Sequence, residues 1–151
     1  MQEQDKSDNY RAVECPINSE SITLVLPLPH NCLSPNARIH WTVKAGVTKK
    51  ARRLARQAVE AEDICTKPWQ KVKAQETFFY NVCRNRDERN AVAMLKAYYD
   101  GVVDAGLIED DNYQILTHGQ PTFEIDRNDP RVEITISKLD SNTDDNTHTN
   151  P

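Results

Sequence analysis

The stretch from Val72 to Gly106 constrains this chain most. "VKAQETFFYNV", Val72 to Val82, is rich in β-branched and aromatic residues and reads as a strand. "RNRDERN", Arg84 to Asn90, follows as a dense charge cluster. Beyond it Ala91, Val92, Leu95, Tyr98, Tyr99, Val102 and Val103 recur with helical period on one broad face. Asn90 is the expected N-cap, and Gly106 ends the helix as a C′ glycine does. A strand, a charged turn and an amphipathic helix in that order need a sheet for the helix to cover. Purely helical and purely β architectures are thereby excluded.

The flanks extend this unit. "SITLVLPLP", Ser21 to Pro29, is β-rich and stopped by prolines, so it reads as a first strand. Thr48 is the expected cap of a helix from about Lys49 to Ala61, with Leu54, Ala58 and Ala61 at helical spacing. After Gly106, "IEDDNYQILTH" reads as an acidic turn and a third strand. "PTFEID" and "VEITISKL" flank the turn chemistry of "RNDPR" and are expected to form a hairpin. The expected fold is a single α+β domain in the order β-α-β-α-β-β, with two main helices on a mixed sheet.

The ends do not join this domain. Residues 1–20 carry five acids and two bases, and 140–151 hold no apolar residue. Segments 1–20 and 139–151 are expected to be disordered acidic tails, because they bury too little surface to offset ordering entropy. The remainder, 21–138, can bury a core without disulfide staples. Each tail contributes a net −3 to a chain of −4, so that remainder is near +2. A weakly positive domain is compatible with an anionic partner if its charges are segregated.

They are segregated. Between Arg38 and Arg56 stand seven Lys/Arg and no acid: Arg38, Lys44, Lys49, Lys50, Arg52, Arg53 and Arg56. His40 and Trp41 are interleaved with them. Two readings stay open: a face that tracks a phosphate backbone, and a solvated helix whose long side chains snorkel from the core. Asp87 and the Asp110–Asp111 pair flank the Val72–Gly106 unit's helix. That helix, roughly 16 residues and about 24 Å long, keeps them apart unless the chain returns after Gly106. A metal site and a solvated acidic turn both remain open here.

Other chemistries are poorly supported. Cys15, Cys32, Cys65 and Cys83 form no C-x-x-C pair and have no histidine at zinc-finger spacing. The chain has only four glycines and neither a P-loop nor a dinucleotide-binding fingerprint, so no nucleotide cofactor is expected. No apolar run approaches 18 residues, and no signal peptide is visible, so the expectation is a cytoplasmic protein with no membrane association.

"RDERN", then "LK" six residues beyond the Asn, then "DGVVDAGLIEDD" resembles the RusA family of Holliday junction resolvases, especially its phage-type members. "LPLP", "LSPNARIHW" and the final two strands resemble it too, so the likeness spans roughly residues 21–138. The resemblance implies a RusA-like fold and a homodimeric nuclease. Such an enzyme cuts four-way DNA junctions with Mg²⁺ held by aspartates, in recombination and repair. It implies Asp87 and Asp111 as catalytic ligands with Asp110 beside them, and Lys96 as the catalytic helix lysine. Arg86 matches the basic residue before the first aspartate, and Asn90 the asparagine. The family's second aspartate falls on Arg89, which joins Arg38, Lys44, Lys49, Arg52, Arg53, Arg56 and Arg86 as a candidate DNA contact. The resemblance therefore leaves two outcomes: a Mg²⁺-dependent endonuclease, and a junction-binding protein in which Arg89 has weakened or abolished cleavage. Lys96 also has two structural alternatives, a rim lysine and a partner for Asp100 four residues on.

Overall fold

The computed structural model describes residues 20–64 and 67–139. The expected tails lie outside these residues except for Glu20 and Leu139, as do Cys15 and Cys65. The elements are β1 (Ser21–Leu26), a short 3₁₀ turn (Asn31–Leu33), α1 (Trp41–Ala61), β2 (Val72–Tyr80), α2 (Glu88–Ala93), α3 (Lys96–Asp104), β3 (Leu116–His118), β4 (Thr122–Ile125) and β5 (Arg131–Lys138). This is the expected α+β domain, with helices covering one face of a mixed sheet, but the sheet has five strands where the order β-α-β-α-β-β counted four.

Period-two patterning decides which side of the sheet is buried. Ile22, Leu24 and Leu26 of β1, Val72, Ala74 and Phe78 of β2, and Val132, Ile134 and Ile136 of β5 all point into the core. The intervening residues face outward, where Thr23 and Thr135 hydrogen-bond across the strands and Arg131 lies over the Phe79 ring. On the inner face Ala51, Ala55 and Val59 of α1 meet Tyr98, Tyr99 and Val102 of α3.

The sheet order corrects the expected hairpin. β5 is antiparallel to both β1 and β2 and lies between them, while β3 and β4 run parallel to β2 along its other edge. β4 and β5 therefore flank β2 and do not pair with each other. β5 has the fuller apolar alternation and can bury it against β1 and β2 at once. β4, with Thr122, Glu124 and Ile125 exposed, suits an edge.

Three helix boundaries also differ. The first helix begins at Trp41, not Lys49, and His40 Nδ1 accepts from the Thr42 amide as its cap. Thr48 is interior, its hydroxyl donating back to the Lys44 carbonyl at 2.8 Å. The second helix is capped by Asp87, not Asn90. Asp87 Oδ1 accepts from the amides of Arg89 (2.9 Å) and Asn90 (3.2 Å), and Asn90 instead accepts from Ser34 Oγ. That helix is also broken at Met94–Leu95, where i→i−3 bonds join Leu95 to Val92 and Tyr98 to Leu95. No proline or glycine marks the break. Leu95 is fully buried, so packing and not local propensity sets it.

Gly106 behaves as expected. It has φ +81° and closes a Schellman motif, with its amide bonded to the Val103 carbonyl and that of Leu107 bonded to Val102. The chain then runs back beside Trp69, just ahead of β2. The Trp69 amide donates to Leu107, and the Glu109 amide to Trp69. This is the return that the sequence left open, and it carries the acidic turn to the side of α3.

Candidate functional site

Lys96 is the hub. Its ammonium, at the first residue of α3, bonds Asp100 Oδ1 at 2.8 Å and also Asp111 Oδ2. The Asp100 pair is the one-turn partnership that the spacing allowed; Asp111 comes from the acidic turn, 15 residues along the chain. The carboxylates of Asp100 and then Asp111 hold the Lys96 pKa above its ordinary value. Lys96 is exposed, so these pairs contribute little to stability.

Two grooves share this lysine. One, about 280 Å³, is lined by Val92, Ala93, Lys96, Tyr99, Asp111 and His118. The other, about 310 Å³, runs between α3 and α1 and is lined by Lys44, Thr48, Lys96 and Asp100, among others. A larger hollow of about 550 Å³ beside Trp69 includes none of the expected site residues.

The remaining acids are differently employed. Asp110 Oδ1 accepts from the Asp111 amide, and Oδ2 accepts from Asn112 Nδ2 at 2.7 Å. The Asn112 amide, followed by the Asp111 N–H, holds the Asp110 carboxyl below its usual range. Asp87 caps α2 and does not line the Lys96–Asp111 groove. Glu88 accepts from Gln120 Nε2 at 2.7 Å. Among the described residues no group of three or more His, Cys, Asp or Glu is arranged to hold a metal ion.

The basic candidates divide. Arg52 forks onto Asp104 of α3, which ties the two helices together, and Arg56 pairs with Glu60 one turn away. Both pairs lie within the fold, and the two guanidinium side chains remain about half exposed. Arg38, Lys44, Lys49, Lys50 and Arg53 are exposed and make no ion pair among the described residues. Trp41, 73% exposed, stacks with His40 at the start of α1. Arg86 packs over the Tyr80 ring at 3.4 Å, and Arg89 is exposed in the first turn of α2.

Glu76 is the residue that sequence reasoning missed. It occupies an inward position of β2 between Ala74 and Phe78 and is 0% exposed. Its Oε1 accepts from the Tyr99 hydroxyl and lies 2.6 Å from His118 Nδ1. Burial, reinforced by Glu76, raises the Tyr99 pKa well above its usual value. Glu76 Oε2 is buried with no hydrogen-bond partner among the described residues. The signal was present: a carboxylate in phase with Val72, Ala74 and Phe78 breaks the apolar side of the strand.

The chain matches no protein-family model. It is 30% identical over 120 residues to an "Uncharacterized protein" of Xylella fastidiosa (strain Temecula1), and the alignment covers 78% of this chain and 76% of that one. At that coverage the likeness takes in most of the folded domain, and the chain belongs to the same family as the Xylella fastidiosa protein.

Proposed function

We propose that this chain is a RusA-type protein that binds branched DNA, four-way junctions above all, and hydrolyses a phosphodiester at the Lys96–Asp111 groove. One observation carries the reading: Lys96 lines both grooves, and so connects the cationic face of α1 to the groove that holds Asp111 and His118. Lys44, Lys49 and Arg53 of α1, with Arg38 just ahead of it, follow the backbone phosphates, and Trp41 offers a face on which an unpaired base can stack. Arg86 and Arg89 add positive charge near the start of α2. Lys96 faces the scissile phosphate and offsets the charge that grows on its oxygens. Resolution of a four-way junction needs two symmetric cuts, so the active species on this reading is a homodimer.

Mg²⁺ is the ion that the RusA resemblance implies, and it would supply Lewis-acid polarisation of the phosphate. Asp111, Asp87 and Asp110 would hold it. Their present geometry does not fit a ready-made centre. Asp111 is bonded to an ammonium, Asp110 spends both oxygens inside its turn, and Asp87 caps a helix. That arrangement favours a second reading, junction binding with weakened cleavage, to which Arg89 also points.

Incubation of the protein with a labelled four-way junction, with and without Mg²⁺, separates the two. Nicking near the branch supports the nuclease. Salt-sensitive junction binding with no product at any Mg²⁺ concentration supports the binding protein. A protein that neither binds nor cuts branched DNA refutes both.

A further inference from the structure

Resting on the nuclease reading, we infer that His118, oriented by the buried carboxylate of Glu76, is the general base of the Lys96–Asp111 groove. Glu76 stands where an apolar side chain would serve the core better, since a carboxylate loses its hydration there. What it gains is a 2.6 Å contact with His118 Nδ1. With the carboxylate oxygen as acceptor Nδ1 carries the hydrogen, and in the neutral imidazole Nε2 then keeps its lone pair. The Tyr99 ring meets the imidazole edge-on, with centroids 5.1 Å apart and planes at 86°, which holds its orientation. His118 sits at the end of β3, its Cα paired with Ala74 of β2. Its side chain is 38% exposed and lines the same groove as Lys96 and Asp111. A histidine backed by a buried acid, opening on a groove beside a cation, is the arrangement of a positioned base.

The step balances without another reactant. Nε2 takes a proton from water as the water oxygen forms the new bond to phosphorus. The opposite P–O ester bond breaks, and its electron pair leaves on the sugar oxygen, which takes a proton from solvent. His118 then releases its proton to solvent, so one water converts a diester into a monoester and an alcohol. Glu76 from β2 and Tyr99 from α3 contact His118, and Lys96 from α3 and Asp111 from the acidic turn are the charged groups lining the same groove. Glu76 is a positioning residue, because it acts only through the imidazole.

The test is single-turnover cutting of a labelled four-way junction from pH 5 to 9, with Mg²⁺ and in EDTA, beside junction binding. Wild type, His118→Gln and Glu76→Gln are compared. The wild-type rate is expected to rise about tenfold per pH unit and then level once the imidazole is neutral. His118→Gln is expected to cut about 100-fold more slowly, the lower end of what general-base catalysis contributes. It should lose that pH step while binding the junction as wild type does. Equal rates and profiles for wild type and His118→Gln overturn the base and leave the nuclease reading standing. A wild type that binds but never cuts defeats the nuclease reading, and the base with it. Imidazole ¹⁵N NMR gives an independent readout that survives any folding defect in Glu76→Gln. Neutral wild-type His118 should carry its hydrogen on Nδ1, and a hydrogen on Nε2 overturns the inference.

Discussion

Gly101, the glycine of the "DG" pair in α3, is where the structure makes its least ambiguous energetic demand. A Cβ built there would meet the Arg52 carbonyl oxygen of α1 at 2.1 Å and Ala55 Cβ at 2.8 Å. Ordinary contacts need more than an ångström beyond the first of these, and the obstacle is helix backbone, which cannot swing aside. Gly101→Ala must therefore push α1 and α3 apart along the seam that buries Ala55 and Val102. Overpacking of this kind costs typically 1–3 kcal/mol, and a backbone obstacle argues for the top of that range. Replacing a helical glycine with alanine returns about 1 kcal/mol of propensity. The net expectation is a loss of about 2 kcal/mol, or a Tm lower by roughly 8 °C for a domain of this size. Gly46, in the exposed first turns of α1, has nothing within 4 Å of its virtual Cβ and is the internal control. Gly46→Ala is expected to gain up to about 1 kcal/mol and raise Tm by roughly 4 °C. Thermal and urea unfolding of both variants settles the matter. A Gly101→Ala protein as stable as wild type would refute the close crossing of α1 and α3, and with it the placement of Lys96 and Tyr99 that depends on that seam.

Asp87 has a capping role that Asn can share, so Asp87→Asn should keep its Tm while Asp87→Ala loses about 1 kcal/mol. If Asp87 also serves in cleavage, both variants stop cutting; unfolding scans and junction nicking on the same samples separate cap from ligand. On the nuclease reading Arg89→Asp is expected to increase Mg²⁺-dependent nicking, because it adds a carboxylate and removes a cation. A clear fall in nicking across a full Mg²⁺ titration would mean instead that Arg89 grips phosphate. Burial pushes the Tyr98 pKa up to about 12, and its hydroxyl donates to the Pro27 carbonyl at 2.6 Å. The neutral phenol is favoured in the fold, so its contribution is intact below about pH 10, where the unfolded tyrosine begins to ionise, and fades as pH climbs toward 12. Stability against urea should fall across that window, and less steeply in Tyr98→Phe; an unchanged slope would contradict the assignment.

Local chemistry made much of this protein legible in its sequence. Runs of β-forming residues bounded by prolines and turn chemistry announced β1, β2 and β5, and the Schellman glycine at Gly106 could be read because only a backbone with positive φ needs it. The segregated charge between Arg38 and Arg56 was equally visible, since it is a matter of composition along one helix. Tertiary structure decided the rest, through competition between distant segments for the same surface. β5 left the expected hairpin because β1 and β2 together bury its apolar side better than β4 can. Arg52 and Arg56 gained partners, Asp104 one helix away and Glu60 one turn away, that the charge count along the helix did not announce. Asp111 reaches Lys96 because pairing with Trp69 turns the chain back, and no spacing in the sequence encodes that return. Glu76 lies between these cases. Its charge on the inward side of a strand was readable as an anomaly, but its partners, Tyr99 and His118, are 23 and 42 residues away. Only the folded sheet, by setting β3 alongside β2 under α3, gives that buried carboxylate something to hold.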